Sequence, residues 1–221
     1  MAYSAAGPAA GRANDWSWSV RSAAQSEERL SAWAARAVWV YALAQVTNTA
    51  VTVATLPAVV TYVRQILNNY GTLTPPQQPA AFRVASSLEV PFTLVAGIVF
   101  LLWQYRAATT ARALGYPARR SPALGAWSWV IPVVNFWFPY QAIRDLLPPG
   151  HEVRTLVLRT WLCYMFTIVA VLLAYLTAFS SIRAGQAIGC LAIAGWIAVG
   201  TGAYRVARAV AADHAAAAGR Y

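Results

Sequence analysis

The sequence predicts an all-α fold: a polytopic membrane helix bundle with four spanning helices and one proline-broken segment that is re-entrant or interfacial. Three observations predict it. Of 221 residues, 59% are hydrophobic and 11% charged, with a mean hydropathy of +0.47, against about 45–50% and about 25% in soluble domains. The apolar residues fall in runs of about 18–25, the length of helix that crosses about 30 Å of hydrocarbon. The stretch Trp127–Tyr140, W-S-W-V-I-P-V-V-N-F-W-F-P-Y, is as apolar as those runs, yet it carries Pro132 and Pro139 with an amide, Asn135, between them.

Residues 1–30 are rich in Ala, Ser, Gly and charge and contain no apolar run. They predict a mobile cytoplasmic tail ending in a short helix over Gln25–Leu30. A transmembrane domain is expected over 31–208. Its first apolar run is too long for a signal peptide and is expected to remain as an anchor. That first span covers 33–56, and Pro57 kinks or ends it. Gln45, Thr47, Asn48 and Thr49 at its centre should face other helices, because lipid offers them no partner. Asn68–Ser87, with Asn-Asn-Tyr-Gly and Pro-Pro-Gln-Gln-Pro, reads as a loop.

The second span covers 88–105, with Trp103 and Tyr105 as interface aromatics. Pro91 falls in its expected first turn, where a missing N–H costs little. A helical pattern continues through Arg106–Leu114 to Gly115, a predicted C-cap. A basic loop, Tyr116–Pro122, leads into the broken segment, 123–147. After Pro148-Pro-Gly150 come spans over 160–180 and 186–204, then a tail, 209–221, expected to be frayed.

Charge bias selects among topologies. All 17 basic residues are arginine. With the N-terminus cytoplasmic, five crossings divide them almost evenly. Four crossings, with the broken segment returning to its own side, leave only Arg64, Arg83 and Arg183 outside and the other 14 of the 17 inside. Basic residues near spans are retained on the cytoplasmic side. Four crossings with both termini cytoplasmic are therefore expected, with a kinked fifth span as the alternative. Each internal proline lacks an N–H and displaces the carbonyl four residues back, here those of Ser128 and Asn135. Such a backbone is tolerated at membrane depth only under a cover of protein or water.

The net charge of +10 does not predict nucleic-acid binding, because the arginines flank apolar runs instead of forming one patch. The absence of lysine beside abundant alanine suggests a GC-rich bacterial genome. Cys163 and Cys190 lie in apolar runs and read as small buried hydrophobes. No cofactor or metal motif is present, and no catalytic motif. Every acid, Glu89 included, reads as lying away from mid-membrane, which disfavours proton relays. A lipid-headgroup enzyme would have to draw on Asp145, His151 and Glu152.

Asn135 is the most informative single residue. Between two breaks it could bind an ion or polar headgroup, or it could satisfy carbonyls freed by Pro139; Gln141 is read the same way. Arg106, Arg112, Arg119, Arg120 and Arg144 form a basic collar around the broken segment, suited to anionic lipid headgroups or an acidic partner. In the last span Cys190, Ala194, Ala198 and Gly202 recur every four residues, as do Gly185 and Gly189. This pattern packs helices closely within one chain or between two copies.

From Trp103 the chain reads W-Q-Y-R-A-A-T-T-A-R-A-L-G-Y and then, from Ser121, S-P-A-L-G-A-W-S-W-V-I-P-V-V-N-F-W-F-P-Y-Q-A-I-R-D-L. The block Trp103–Leu146 resembles an actinobacterial membrane family, domain of unknown function 4328. On that resemblance Arg106, Gly115, Ser121, Pro122, Trp129, Pro132, Asn135, Pro139 and Gln141 are signature positions, and Thr110 departs from a favoured Asn. The resemblance implies a multi-pass bacterial membrane protein and supplies no activity. The functional expectation is a non-enzymatic module of the bacterial plasma membrane. It would organise or regulate a membrane-protein partner or sense anionic lipid, with homo-oligomerisation through the last span as an option. The alternative is a small channel or transporter that uses the polar cluster of the first span and the broken segment.

Overall fold

A computed structural model describes residues 8–68, 79–131 and 133–220, with side chains in the first helix from Trp18 onward. Helix α1 runs Pro8–Asn68, α2 Ala80–Ala113, α3 Pro122–Trp127, α4 Phe138–Arg144, α5 Val153–Ala178 and α6 Ile182–Ala218, with a 3-10 turn at Val134–Phe136. Among the described residues, four helices, α1, α2, α5 and α6, are long and apolar enough to cross a membrane. With 37 residues, α6 is about 55 Å long, well beyond the hydrocarbon thickness, so part of it must extend past the membrane core.

Several boundaries differ from expectation. Residues 8–30 are helix, not a mobile tail, and Val20, Ala24, Glu27 and Ser31 are buried at helical spacing. The buried face is made of small residues and one carboxyl, so it produces no apolar run. The C-terminal tail is also ordered: α6 reaches Ala218, burying Val210, Ala211, His214, Ala217 and Ala218. Helix α2 begins at Ala80, so the expected loop over 68–87 is helical in its second half and Pro91 lies inside the helix, not at its start. The Pro-Pro-Gln-Gln stretch falls outside the described residues. Gly115 caps α2 as expected. Its φ is +78°, and the paired bonds Gly115 N–H to Arg112 C=O and Tyr116 N–H to Ala111 C=O form a Schellman motif.

The described chain forms two units. One comprises residues up to Ala35, Val99–Val157 and Arg205 onward; the other comprises Arg36–Ile98 and Leu158–Tyr204.

In the second unit the helices pack through small residues. A Cβ on Gly200 would meet that of Ala42 at 2.6 Å, and one on Gly185 would meet the Ala174 carbonyl at 2.7 Å. Thr167 and Thr160 press against Gly195 and Gly202 in the same way. Such close approach is what association in lipid requires, where burial of apolar surface supplies no drive. The four-residue stripe divides: Gly202 is packed, while Cys190, Ala194 and Ala198 are exposed. Pro57 neither ends α1 nor leaves its ladder open. The Val53 carbonyl that it frees accepts a bond from Gln186 Nε2 at 3.1 Å. On α5, Leu162, Phe166, Val169, Leu172 and Leu176 are exposed, an apolar surface suited to lipid.

Candidate functional site

The broken segment lies in the first unit. Its regular elements have six, three and seven residues. The longest is about 10 Å, so none can cross a bilayer. Ser121 caps α3, accepting from Leu124 N–H, and Pro122 stands in the first turn. Pro139 likewise occupies the first turn of α4. It therefore starts a helix and displaces no carbonyl, contrary to the expectation that it breaks one. Pro132 lies outside the described residues.

Gln104 on α2 fastens this segment. Its side chain is buried; Nε2 donates to the Gly125 carbonyl at 2.9 Å, and Oε1 accepts from Trp129 Nε1 at 2.6 Å. Ser128 Oγ donates to the same Gly125 carbonyl at 2.6 Å. Phe100 meets the Trp129 ring edge-on at 5.3 Å. Trp129 is thus a structural anchor. Gln104 lay in the quoted motif but was not singled out, because a polar residue next to Tyr105 and Arg106 reads as part of a polar helix end. Asn135 is half-buried, and its Oδ1 has no hydrogen-bond partner; Gln141 Oε1 is in the same state.

The arginines separate into two groups. Arg106, Arg112 and Arg119 are exposed, and Arg112 Nη2 donates to the Arg120 carbonyl at 2.6 Å. Arg120 sits over the Phe138 ring at 3.6 Å, a cation–π contact. Arg144 grips Asp145 through Nε at 3.1 Å and Nη2 at 2.9 Å. Burial works against its charge, but the Asp145 hydrogen bond and charge outweigh it and hold the guanidinium pKa above its ordinary value. Around them Trp127, Val130, Ile131, Val133, Phe136 and Trp137 are all exposed. The three residues considered for lipid-headgroup chemistry do not come together: Asp145 pairs with Arg144, His151 faces Asp213 at 3.6 Å, and Glu152 is exposed.

A buried ion pair in the same unit was not foreseen. His214 Nδ1 lies 2.7 Å from Glu27 Oε2, and Nε2 lies 2.7 Å from the Leu146 carbonyl. Both side chains are 1% exposed. The Leu146 carbonyl can only accept, so Nε2 carries a proton; facing an ionised Glu27, Nδ1 donates as well and the ring is an imidazolium. Burial tends to lower the pKa of this ring, but the Glu27 hydrogen bond and charge, the Leu146 carbonyl and Asp213 outweigh it and raise it above 6.5. His214 follows Arg205 and Arg208, past the apolar part of α6. Tyr116 Oη adds a bond to Asp213 at 2.8 Å. The available signal was periodic: Val210, His214 and Ala217–Ala218 share one helix face, as do Val20, Ala24, Glu27 and Ser31.

The second unit holds a polar cluster of its own. Gln45 Nε2 donates to Glu89 Oε1 at 2.8 Å, and Asn48 Nδ2 donates to Glu89 Oε2 at 2.6 Å. The amides of the first span therefore face another helix, as expected. Their partner is a carboxyl that had been assigned away from mid-membrane. Asn48 is 12 residues from Arg36 and 16 from Arg64, about 18 Å and 24 Å along the helix. Glu89 thus lies at the depth of α1's apolar centre. As the second residue of the expected span over 88–105 it read as lying at a helix end; α2 in fact begins at Ala80, nine residues earlier.

No curated protein and no solved structure matches the chain. The model of a family described as a domain of unknown function (DUF4328) matches residues 77–218, a range that takes in the whole broken segment, α5 and α6. With four apolar helices and a family match over more than half of its length, the chain belongs to the DUF4328 family.

Proposed function

We propose that the protein is a non-enzymatic module of the bacterial plasma membrane in which the segment 122–147 lies in the cytoplasmic interface and engages anionic lipid headgroups or an acidic membrane partner. Both termini are cytoplasmic in this reading. One observation carries it: a segment too short in every helix to cross exposes Trp127, Val130, Ile131, Val133, Phe136 and Trp137 beside the exposed Arg106, Arg112 and Arg119. Aromatic and aliphatic side chains suit the acyl–headgroup boundary, and each nearby arginine contributes about 1 kcal/mol at an anionic leaflet.

Single cysteines at Arg120, His151 and Ala184, in a Cys163→Ala/Cys190→Ala background, test the placement. In intact cells only Ala184→Cys should react with an impermeant maleimide. Labelling of His151→Cys from outside would refute the interfacial reading. Chains purified in mixed-lipid nanodiscs should enrich phosphatidylglycerol over phosphatidylethanolamine, and Arg106→Gln/Arg119→Gln should lose much of that enrichment.

A second reading, a small channel or transporter, is favoured by the carboxyl of Glu89 at membrane depth. A liposome flux assay in which Glu89→Gln and the unaltered chain both pass no solute would dispose of it.

A further inference from the structure

Glu89 has no arginine or histidine within ion-pair distance among the described residues. It lines a cavity of about 180 Å³ together with Asn48, Thr52, Val171, Tyr175 and Trp196, all within the second unit. The bonds from Gln45 and Asn48 occupy one lone pair on each carboxylate oxygen, which leaves one on each free. Two further oxygens are unused. Thr52 is 7% exposed and its Oγ1 has no partner; Asn48 Oδ1 is likewise unpaired. Buried polar atoms are normally satisfied, and a carboxylate at membrane depth marks a function by default.

We infer that this cavity is a binding site for a small organic monocation of the alkylammonium class, held by the Glu89 carboxylate. The sign follows from the carboxylate, and the single charge follows from there being no second acid or any basic residue in the lining. The class follows from the walls. Leu56, Ile168, Val171 and Ala174 are aliphatic, and Tyr175 and Trp196 are aromatic. The four open oxygens, two on Glu89 with Asn48 Oδ1 and Thr52 Oγ1, fall short of the about six or more that a divalent metal cation takes, and these walls add none. They do suit methyl or methylene groups around a diffuse charge, and aromatic residues attract such cations. Asn48 Oδ1 and Thr52 Oγ1 are acceptors for the N–H of a primary or secondary ammonium. The inference goes beyond the interfacial reading and does not require flux.

The test uses the full chain in nanodiscs with radiolabelled dimethylammonium. Saturable binding at one site per chain is expected, with no displacement by an equal concentration of sodium. Glu89→Gln should weaken binding at least tenfold. Val171→Phe keeps the carboxylate but fills the cavity, and should do the same. In the unaltered chain a hydrophobic carbodiimide should modify Glu89, and saturating dimethylammonium should slow that modification at least fivefold. Absence of saturable binding overturns the inference. Displacement by equal sodium overturns it too, as does a Glu89→Gln chain within threefold of wild type. If neither variant folds, the carbodiimide result decides, and unaltered labelling of Glu89 at saturating cation refutes the site.

Discussion

Replacing Glu27 by Gln removes the charge that faces His214 and leaves the imidazolium buried with neutral acceptors, the new amide oxygen and the Leu146 carbonyl, and the more distant Asp213. Both partners are 1% exposed, so solvent cannot screen the loss. Breaking one side of a buried pair costs about 3–5 kcal/mol. At about 1.4 kcal/mol per decade, opening of this unit should become more frequent by between two and four orders of magnitude. Hydrogen exchange in nanodiscs reads this directly. Amides of residues 18–35 and 205–218 should exchange faster by that factor, while those of residues 160–178 should not change. Glu27→Leu/His214→Leu removes both charges and should recover much of the loss, apart from the unpaired Leu146 carbonyl at about 1–3 kcal/mol. The pH dependence has a fixed sign. The pKa of His214 is raised on folding, so its stabilisation is complete below the unfolded value near 6.5 and fades as pH rises through the folded value. Protection of residues 205–218 should therefore fall with rising pH beyond the normal acceleration of exchange. A Glu27→Gln chain exchanging within threefold of wild type at pH 6 would refute the reasoning.

Three other substitutions follow from the same geometry. Gln104→Leu strips the donor from the Gly125 carbonyl and the acceptor from Trp129 Nε1; it should cost about 1–3 kcal/mol and raise exchange in residues 122–131 while leaving the second unit unaffected. Gln186→Leu leaves the Val53 carbonyl beside Pro57 without its donor, and thermal unfolding in detergent should shift down by a few degrees, corresponding to about 1–3 kcal/mol. Gly200→Leu drives a side chain into Ala42 across a packed contact. It should lower folded yield sharply, whereas Ala198→Leu on the exposed face should not, as judged by monodisperse elution.

The spans were legible because lipid imposes a length and composition that few other environments demand, and Gly115 was legible because a left-handed turn at a helix end favours glycine. The ordered ends were not. Val20, Ala24 and Glu27, and opposite them Val210, His214 and Ala217, bury faces of alanine, valine and one ion pair. Hydropathy reads such faces as polar or neutral, and only their spacing carries the signal. The basic and aromatic residues of the broken segment divide in their contacts on a detail that sequence does not encode. Trp129 turns inward to Gln104, whereas Trp127 and Trp137 remain exposed. Nothing in the residue type distinguishes them; the partner on α2 does.

The prolines make the same point in energetic terms. A proline costs a helix only if a carbonyl is left without a donor, so its effect depends on what stands four residues earlier and on what approaches from outside. Pro139 and Pro122 open helices, where no bond is lost. Pro57 lies far inside α1, where a bond is lost, and Gln186 from α6 replaces it. Identical chemistry thus begins short elements in 122–147 and is absorbed without a break in the first span. In the first span the compensating donor comes from tertiary packing, through Gln186. A polar residue in an apolar run, such as Gln186, is therefore best read together with the prolines of its neighbours. By the same reasoning Gln45 and Asn48 are best read together with Glu89: three polar side chains, each costly alone in lipid, become tolerable as a hydrogen-bonded set whose remaining acceptors point to a cationic ligand.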